Sequence, residues 1–201
     1  MIKNIIFDMG NVLNVFSPDM FIERLGVNEE DAKLLKEKVF FCREWVLLDW
    51  GYLTDEEAIE KIQPTLPENL RQYVPQLVSH WDEPMVPVDG MEELVKKLSD
   101  EGYGIYLLSN ACFRQPEYFK KLAVSKYIQG AVISAYEKII KPMPEIYKLV
   151  LDRFNLNTSE CIFIDDSPTN VSGAYVCGID GIVFKNAKQL KEELRNKGIT
   201  I

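Results

Sequence analysis

The sequence predicts an α/β fold: a parallel sheet with helices on both faces, and a block of helices inserted after the first strand. Three observations carry this. Ile5, Ile6 and Phe7 form an apolar run without polar alternation, as a strand buried on both faces does. From Val88 onward short apolar runs alternate with helical patterns, which calls for parallel strands joined by crossover helices. Between these parts, residues 15–86 read as helix with no convincing strand. At 201 residues the chain suffices for one good core and a small insertion.

Taken in order, Asp8 ends the first strand and Gly10 breaks it. Ser17-Pro18 reads as an N-cap followed by Pro at the first helical position, and Gly26 closes that helix. Asn28 caps a second helix, whose Ala32, Leu34, Leu35, Val39 and Phe40 fit a 3.6-residue period. The run Trp45–Trp50 ends at Gly51. Thr54 and Glu57 make a capping box for the next helix, which Pro64 stops. Leu70, Tyr73, Val74, Leu77 and Val78 suggest a further helix kinked at Pro75. Asp89 and Glu92 form a second capping box, and Gly102 ends that helix. Strands are then expected near 105–108, 131–134, 161–164 and 182–184. Helices are expected near 116–122, 144–153, from Pro168 to Gly178, and 187–196.

Composition narrows the function. The formal net charge is -8 and no basic stripe stands out, which argues against nucleic acid as a partner. The apolar runs are too short to span a bilayer, and the N-terminus opens on a strand rather than a signal-peptide core. A cytoplasmic protein without membrane attachment is the expectation. Cys42, Cys112, Cys161 and Cys177 form no C-x-x-C pair, and His80 is the only histidine. Neither a zinc site, a disulfide framework nor a Ser-His-Asp triad is indicated.

The polar groups with chemical potential fall at strand ends: Asp8, Ser109, Asn110, Asp165 and Asp166, with Lys141 beyond a further strand. In a parallel sheet these ends share one edge, so the groups converge. Three carboxylates packed together repel, and a divalent cation relieves that. Oxygen-only donors point to magnesium rather than zinc. Ser109 and neighbouring N–H groups suit phosphate oxygens, and Lys141 suits a phosphate or a neighbouring carboxylate. A carboxylate can also attack phosphorus to form an aspartyl-phosphate. Singly, each residue has a plainer reading as a cap or a surface group, but the ordered set does not.

The stretches FDMGNV, LLSN, KPMPEIY and FIDDSPTN resemble the motifs of the haloacid dehalogenase superfamily of phosphohydrolases. The resemblance covers the whole chain. It implies a Rossmann-like core over 1–14 and 87–201, with 15–86 as a small α-helical cap hinged near Asn14 and Pro84–Pro87. It implies Asp8 as nucleophile and metal ligand, Asp166 and the Gly10 carbonyl as further ligands of Mg2+, and Asp165 supporting or sharing the metal. By the same resemblance Ser109 and Asn110 bind the phosphoryl group, and Lys141 orients Asp8. The departure is Gly10, where such phosphatases carry a second Asp that protonates the leaving oxygen and then activates water. Members with D-x-G-N at this point occur, and some resemble sugar-phosphate phosphatases. The missing acid favours good leaving groups such as sugar 1-phosphates, unless another residue, such as Asp49, or solvent supplies the proton. Gly10 is also expected to hold a φ that other residues avoid. Trp45, Asp49 and Trp50 are the insertion residues expected to reach the substrate, a small phosphorylated metabolite. Two alternatives stay open: a metal-free haloacid-type dehalogenase, and a phospholigand-binding protein with weak or lost catalysis.

Overall fold

The computed structural model describes residues 1–201. Five strands form one parallel sheet: β1 (Asn4–Phe7), β2 (Gly104–Ser109), β3 (Gly130–Ile133), β4 (Cys161–Asp165) and β5 (Asp180–Val183). Their order is β3-β2-β1-β4-β5, with every neighbouring pair parallel. β1 is therefore central, and the chain passes from one side of it to the other between β3 and β4. Strand order reverses there, and the crevice at such a point takes ligands in open α/β sheets. Ile5, Ile6 and Phe7 are fully buried.

Alternation along each strand divides the core in two. Ile5, Phe7, Ile105, Leu107, Ile162 and Ile164 face one side, while Ile6, Leu108 and Phe163 face the other. The second face is covered by α10 (Pro144–Arg153) and α11 (Pro168–Val176) through Ile146, Tyr147, Val150, Val171 and Ala174. The first is covered by α7 (Met91–Asp100) and α12 (Ala187–Asn196), and its apolar cluster runs on without a break into the helices between β1 and β2.

Those helices are α1 (Pro18–Glu23), α2 (Glu29–Leu35), α3 (Arg43–Asp49), α4 (Asp55–Ile62), α5 (Glu68–Arg71) and α6 (Val74–Ser79). The Ser17, Asn28 and Thr54 caps form as the sequence predicts, with both hydrogen bonds of the Thr54–Glu57 box present. Two expectations fail. The helix expected to kink at Pro75 is two short helices, α5 and α6. The chain breaks at Gln72–Tyr73, and Pro75 sits in the first turn of α6, where its missing N–H costs nothing. No capping box precedes α7; its N-cap is Gly90, in the left-handed conformation with no side-chain bond. The two connections to the helical block run side by side, Val15 N–H donating to Val86 O at 2.8 Å and Val88 N–H to Leu13 O at 3.1 Å. The remaining helices are α8 (Gln115–Phe119) and α9 (Ser134–Glu137), after β2 and β3. No helix is long and apolar enough to cross a membrane.

Candidate active site

Asp8 follows the central strand directly. Its N–H donates to Ile164 O at 2.8 Å, which holds it in register with the end of β4. The Lys141 ammonium lies 2.7 Å from Asp8 Oδ1 and 2.7 Å from Asp165 Oδ2, and all three residues are buried. Both ends of the Asn110 amide hold the lysine's main chain: Lys141 N–H donates to Oδ1 at 2.8 Å, and Nδ2 donates to Lys141 O at 3.0 Å. Asn110 thus fixes the lysine loop through its side-chain amide, and it lines the cavity beside Ser109. Ser109 is buried in the same cavity as Asp8.

Asp165 is fully buried and saturated. Oδ1 accepts from Ser167 N–H and Asn170 Nδ2, and Oδ2 from Lys141 Nζ and Asn170 Nδ2. A carboxylate offers about four lone-pair sites, so little remains for a metal. Asp166 is freer, with Asn11 Nδ2 at 3.2 Å as its one donor. Asn11 has φ 54°, and its Oδ1 accepts from Phe16 N–H. The left-handed residue of this loop is therefore Asn11 rather than Gly10. Gly10 has no positive φ, and a Cβ there would meet only Phe16 Cβ at 3.9 Å. The expected restriction at Gly10 is absent.

Burial sets the electrostatics. It raises the Asp8 carboxyl above its ordinary value against the pull of Lys141, with Asp165 adding to the rise. Two carboxylates raise Lys141 against its own burial, so it stays charged. Asp166 is also raised, chiefly by burial.

These groups share a cavity of about 190 Å³ with Gly10, Asn11, Asn14, Asn170 and an apolar wall. The wall includes Phe16, Trp45, Trp81 and Tyr118. Phe16 packs edge-on to Trp81 at 5.1 Å, and Trp81 on Tyr118 at 5.0 Å. Trp45 and Asp49 line the cavity. Trp50 does not; its indole N–H donates to Lys138 O at 3.0 Å, on the core. Cys112 lines the cavity too, but burial pushes its thiol up to about 12, so it is no nucleophile at neutral pH. Sequence reasoning assigned no role to Asn11 and Asn170, though both stand inside the quoted motifs. It also missed Phe16, Trp81 and Tyr118, which only tertiary packing brings together.

The residues present fit a magnesium ion. Oxygens of Asp8, Asp165 and Asp166 lie within 4.8 Å of one another. Gly10 borders the same space, and no backbone N–H donates to its carbonyl. With Asp165 spent, Asp8, Asp166 and that carbonyl are the groups with lone pairs to offer, an all-oxygen set of the kind magnesium takes.

A parallel α/β sheet with a strand-end carboxylate, a buried lysine bridging two acids and a second acid beside them defines a class of hydrolase. The family model of haloacid dehalogenase-like hydrolases matches residues 2–178, and the chain belongs to that family. It is 34% identical over 114 residues to flavin mononucleotide hydrolase 1 of Arabidopsis thaliana, a match covering 57% of this chain and 46% of that protein. The chain thus spans about half the length of that relative. With D-ribitol-5-phosphate phosphatase of Bacteroides thetaiotaomicron it shares 25% identity over 96% of this chain and 97% of that one. Among solved structures, a HAD family enzyme of Bacteroides thetaiotaomicron in complex with magnesium and inorganic phosphate superposes with TM-score 0.72. That match has 24% identity and covers 93% of this chain and 96% of that one.

Proposed function

We propose that the protein is a magnesium-dependent phosphatase of small phosphorylated metabolites, acting through an aspartyl-phosphate on Asp8. The observation that carries this is the Lys141 ammonium set 2.7 Å from both Asp8 and Asp165. It holds the nucleophile in one orientation and offsets the charge of an arriving phosphate. Ser109 presents a hydroxyl to the phosphoryl oxygens. Asp8, Asp166 and the Gly10 carbonyl would hold the magnesium. When bound, the ion supplies positive charge to the phosphoryl oxygens. Residues 15–86 serve as a cap that excludes water from this step.

The wall limits the substrate. Lys141 is the one cationic side chain lining the cavity, and two carboxylates already hold it. A second phosphate or a carboxylate on the substrate would have no partner. Phosphate monoesters with a small, uncharged remainder fit, and an aromatic wall suits the apolar face of a sugar or polyol. The relative named for ribitol 5-phosphate and the one named for flavin mononucleotide both agree with a phosphate monoester.

The test is turnover of p-nitrophenyl phosphate with magnesium and with a chelator, followed by a panel of phosphorylated metabolites. Magnesium-dependent phosphate release that Asp8→Asn abolishes supports the reading. Metal-independent halide release from a 2-haloacid would replace it with the dehalogenase reading, and phosphate binding without turnover with the binding-protein reading.

A further inference from the structure

Gly10 leaves the proposed reaction without an acid where related phosphatases carry one, and the cavity shows what stands in its place. Its ionisable lining residues are Asp8, Asp49, Cys112, Tyr118, Lys141 and Asp166. Asp8 and Asp166 are committed to the phosphorus and the metal, and Lys141 is locked between two acids. The Cys112 thiol is held near 12 and the Tyr118 hydroxyl well above its ordinary value, so neither gives up a proton readily. Asp49 remains.

Its position is fixed by the core. The Ser134 hydroxyl donates to the Asp49 carbonyl, and the next residue, Trp50, donates its indole N–H to Lys138 O at 3.0 Å. Gly51 then passes so close to α9 that a Cβ would lie 1.9 Å from Ala135 O. Three consecutive residues at the end of α3 are thus moored to the segment Ser134–Lys138 that follows β3. The Asp49 carboxyl meanwhile accepts no hydrogen bond from the protein, so its oxygens are open to a ligand in the cavity.

We propose that Asp49 is the general acid and base of this site, replacing from the helical insertion the carboxyl that Gly10 lacks. This rests on the phosphatase reading. In the first step an Asp8 oxygen bonds to phosphorus while the bond from phosphorus to the leaving oxygen breaks. The Asp49 carboxylic acid gives that oxygen its proton, and an alcohol departs. In the second step the Asp49 carboxylate takes a proton from water as the water oxygen bonds to phosphorus. The bond from phosphorus to Asp8 breaks, and phosphate leaves with Asp49 protonated again. Burial, with the Asp8 charge adding and Lys141 opposing, raises the Asp49 carboxyl above its ordinary value, the direction a general acid needs. Alkyl phosphates, whose leaving oxygen needs a proton, then fall within the substrate range, and sugar 1-phosphates lose their special claim.

The experiment compares kcat/KM for p-nitrophenyl phosphate and for an alkyl phosphate such as glycerol phosphate, in wild type and Asp49→Asn. The ratio kcat/KM reads only through departure of the leaving group, and p-nitrophenolate departs without help. The expected result is a rise of about 10²-fold or more in the aryl-to-alkyl ratio on Asp49→Asn. Adding Gly10→Asp to Asp49→Asn restores the alkyl rate, because position 10 has room for the side chain. An equal loss on both substrates, with circular dichroism unchanged, overturns the role of Asp49 and leaves the phosphatase reading standing. An unchanged ratio does the same. A wild type inactive on every phosphate removes both.

Discussion

In the proposed reaction Asp8 is the residue on which the chemistry turns. Asp8→Asn keeps the size and shape of the side chain but presents an amide that cannot form the acyl phosphate. Turnover of p-nitrophenyl phosphate should fall on the order of 10⁴–10⁶-fold with the fold retained, measured by phosphate release and circular dichroism. The raised carboxyls give a second expectation. Asp8 stands near 7 when folded and free of metal, against about 3.9 unfolded, and Asp166 is shifted the same way. The folded state therefore holds these protons more tightly. The stabilisation is full below about pH 4 and is lost as pH rises through about 7. Magnesium needs the ionised forms, so its rise in Tm should be larger at about pH 8 than at about pH 5. Equal rises in thermal melts at both pH values would mean that other groups bind the ion. The motif residues were legible in the sequence because each ends an apolar run, and the end of a buried strand is a place the pattern alone fixes. Asn11 and Asn170 were not, because their roles come from a left-handed loop and a helix entry whose geometry no periodicity encodes. Asp165 was only half legible: the sequence showed two adjacent acids but not that Ser167, Asn170 and Lys141 would saturate the first.

At the scale of elements, the end of α3 decides how the helical block sits. Trp50 was expected over the substrate, yet its indole is moored to Lys138 O. The sequence places Trp45 and Trp50 on one helix but does not say that the helix ends between them, with Gly51 at φ 75° turning the chain against α9. Trp50→Phe should therefore lower stability by about 1 kcal/mol, the worth of one hydrogen bond, and leave the order of substrate preference intact. Trp45→Ala removes part of the wall itself and should reorder that preference. A metabolite panel run on both variants checks the contrast. Gly51→Ala is more severe, since a left-handed φ costs about 1–2 kcal/mol in an L-residue and the new Cβ strikes main chain. Urea unfolding should show a loss beyond that range. The strands and the long helices of the core were legible from period and caps. The split of α5 from α6 was not, because Pro75 marks a helix start as readily as a kink.

Across the whole molecule, one apolar cluster joins the helical block to the sheet, and one ionic network, its acids buried and its cations partly exposed, fastens their rims. Arg114, just before α8, holds Asp55 of α4 at 2.7 Å through Nε and Asp82, beyond α6, at 3.2 Å through Nη1. Lys121 completes it at 2.8 Å from Asp82, whose side chain is 1% exposed. Neither acid drew notice in the sequence: Asp55 reads as a first-turn acid of α4 and Asp82 as a loop residue, and their cationic partners lie 59 and 32 or 39 residues away. Removing the arginine alone leaves Asp55 without a cation and Asp82 with half its partners. Arg114→Met should cost about 3 kcal/mol, because an uncompensated buried charge is more harmful than a missing pair. The triple variant Arg114→Met, Asp55→Asn, Asp82→Asn removes the charges together and should recover much of that loss. The continuous cluster predicts one unfolding transition in every variant, so urea curves followed by fluorescence and by circular dichroism should coincide. A separate early transition confined to tryptophan fluorescence in Arg114→Met would show that the ionic rim, rather than the shared apolar cluster, keeps the helices on the sheet.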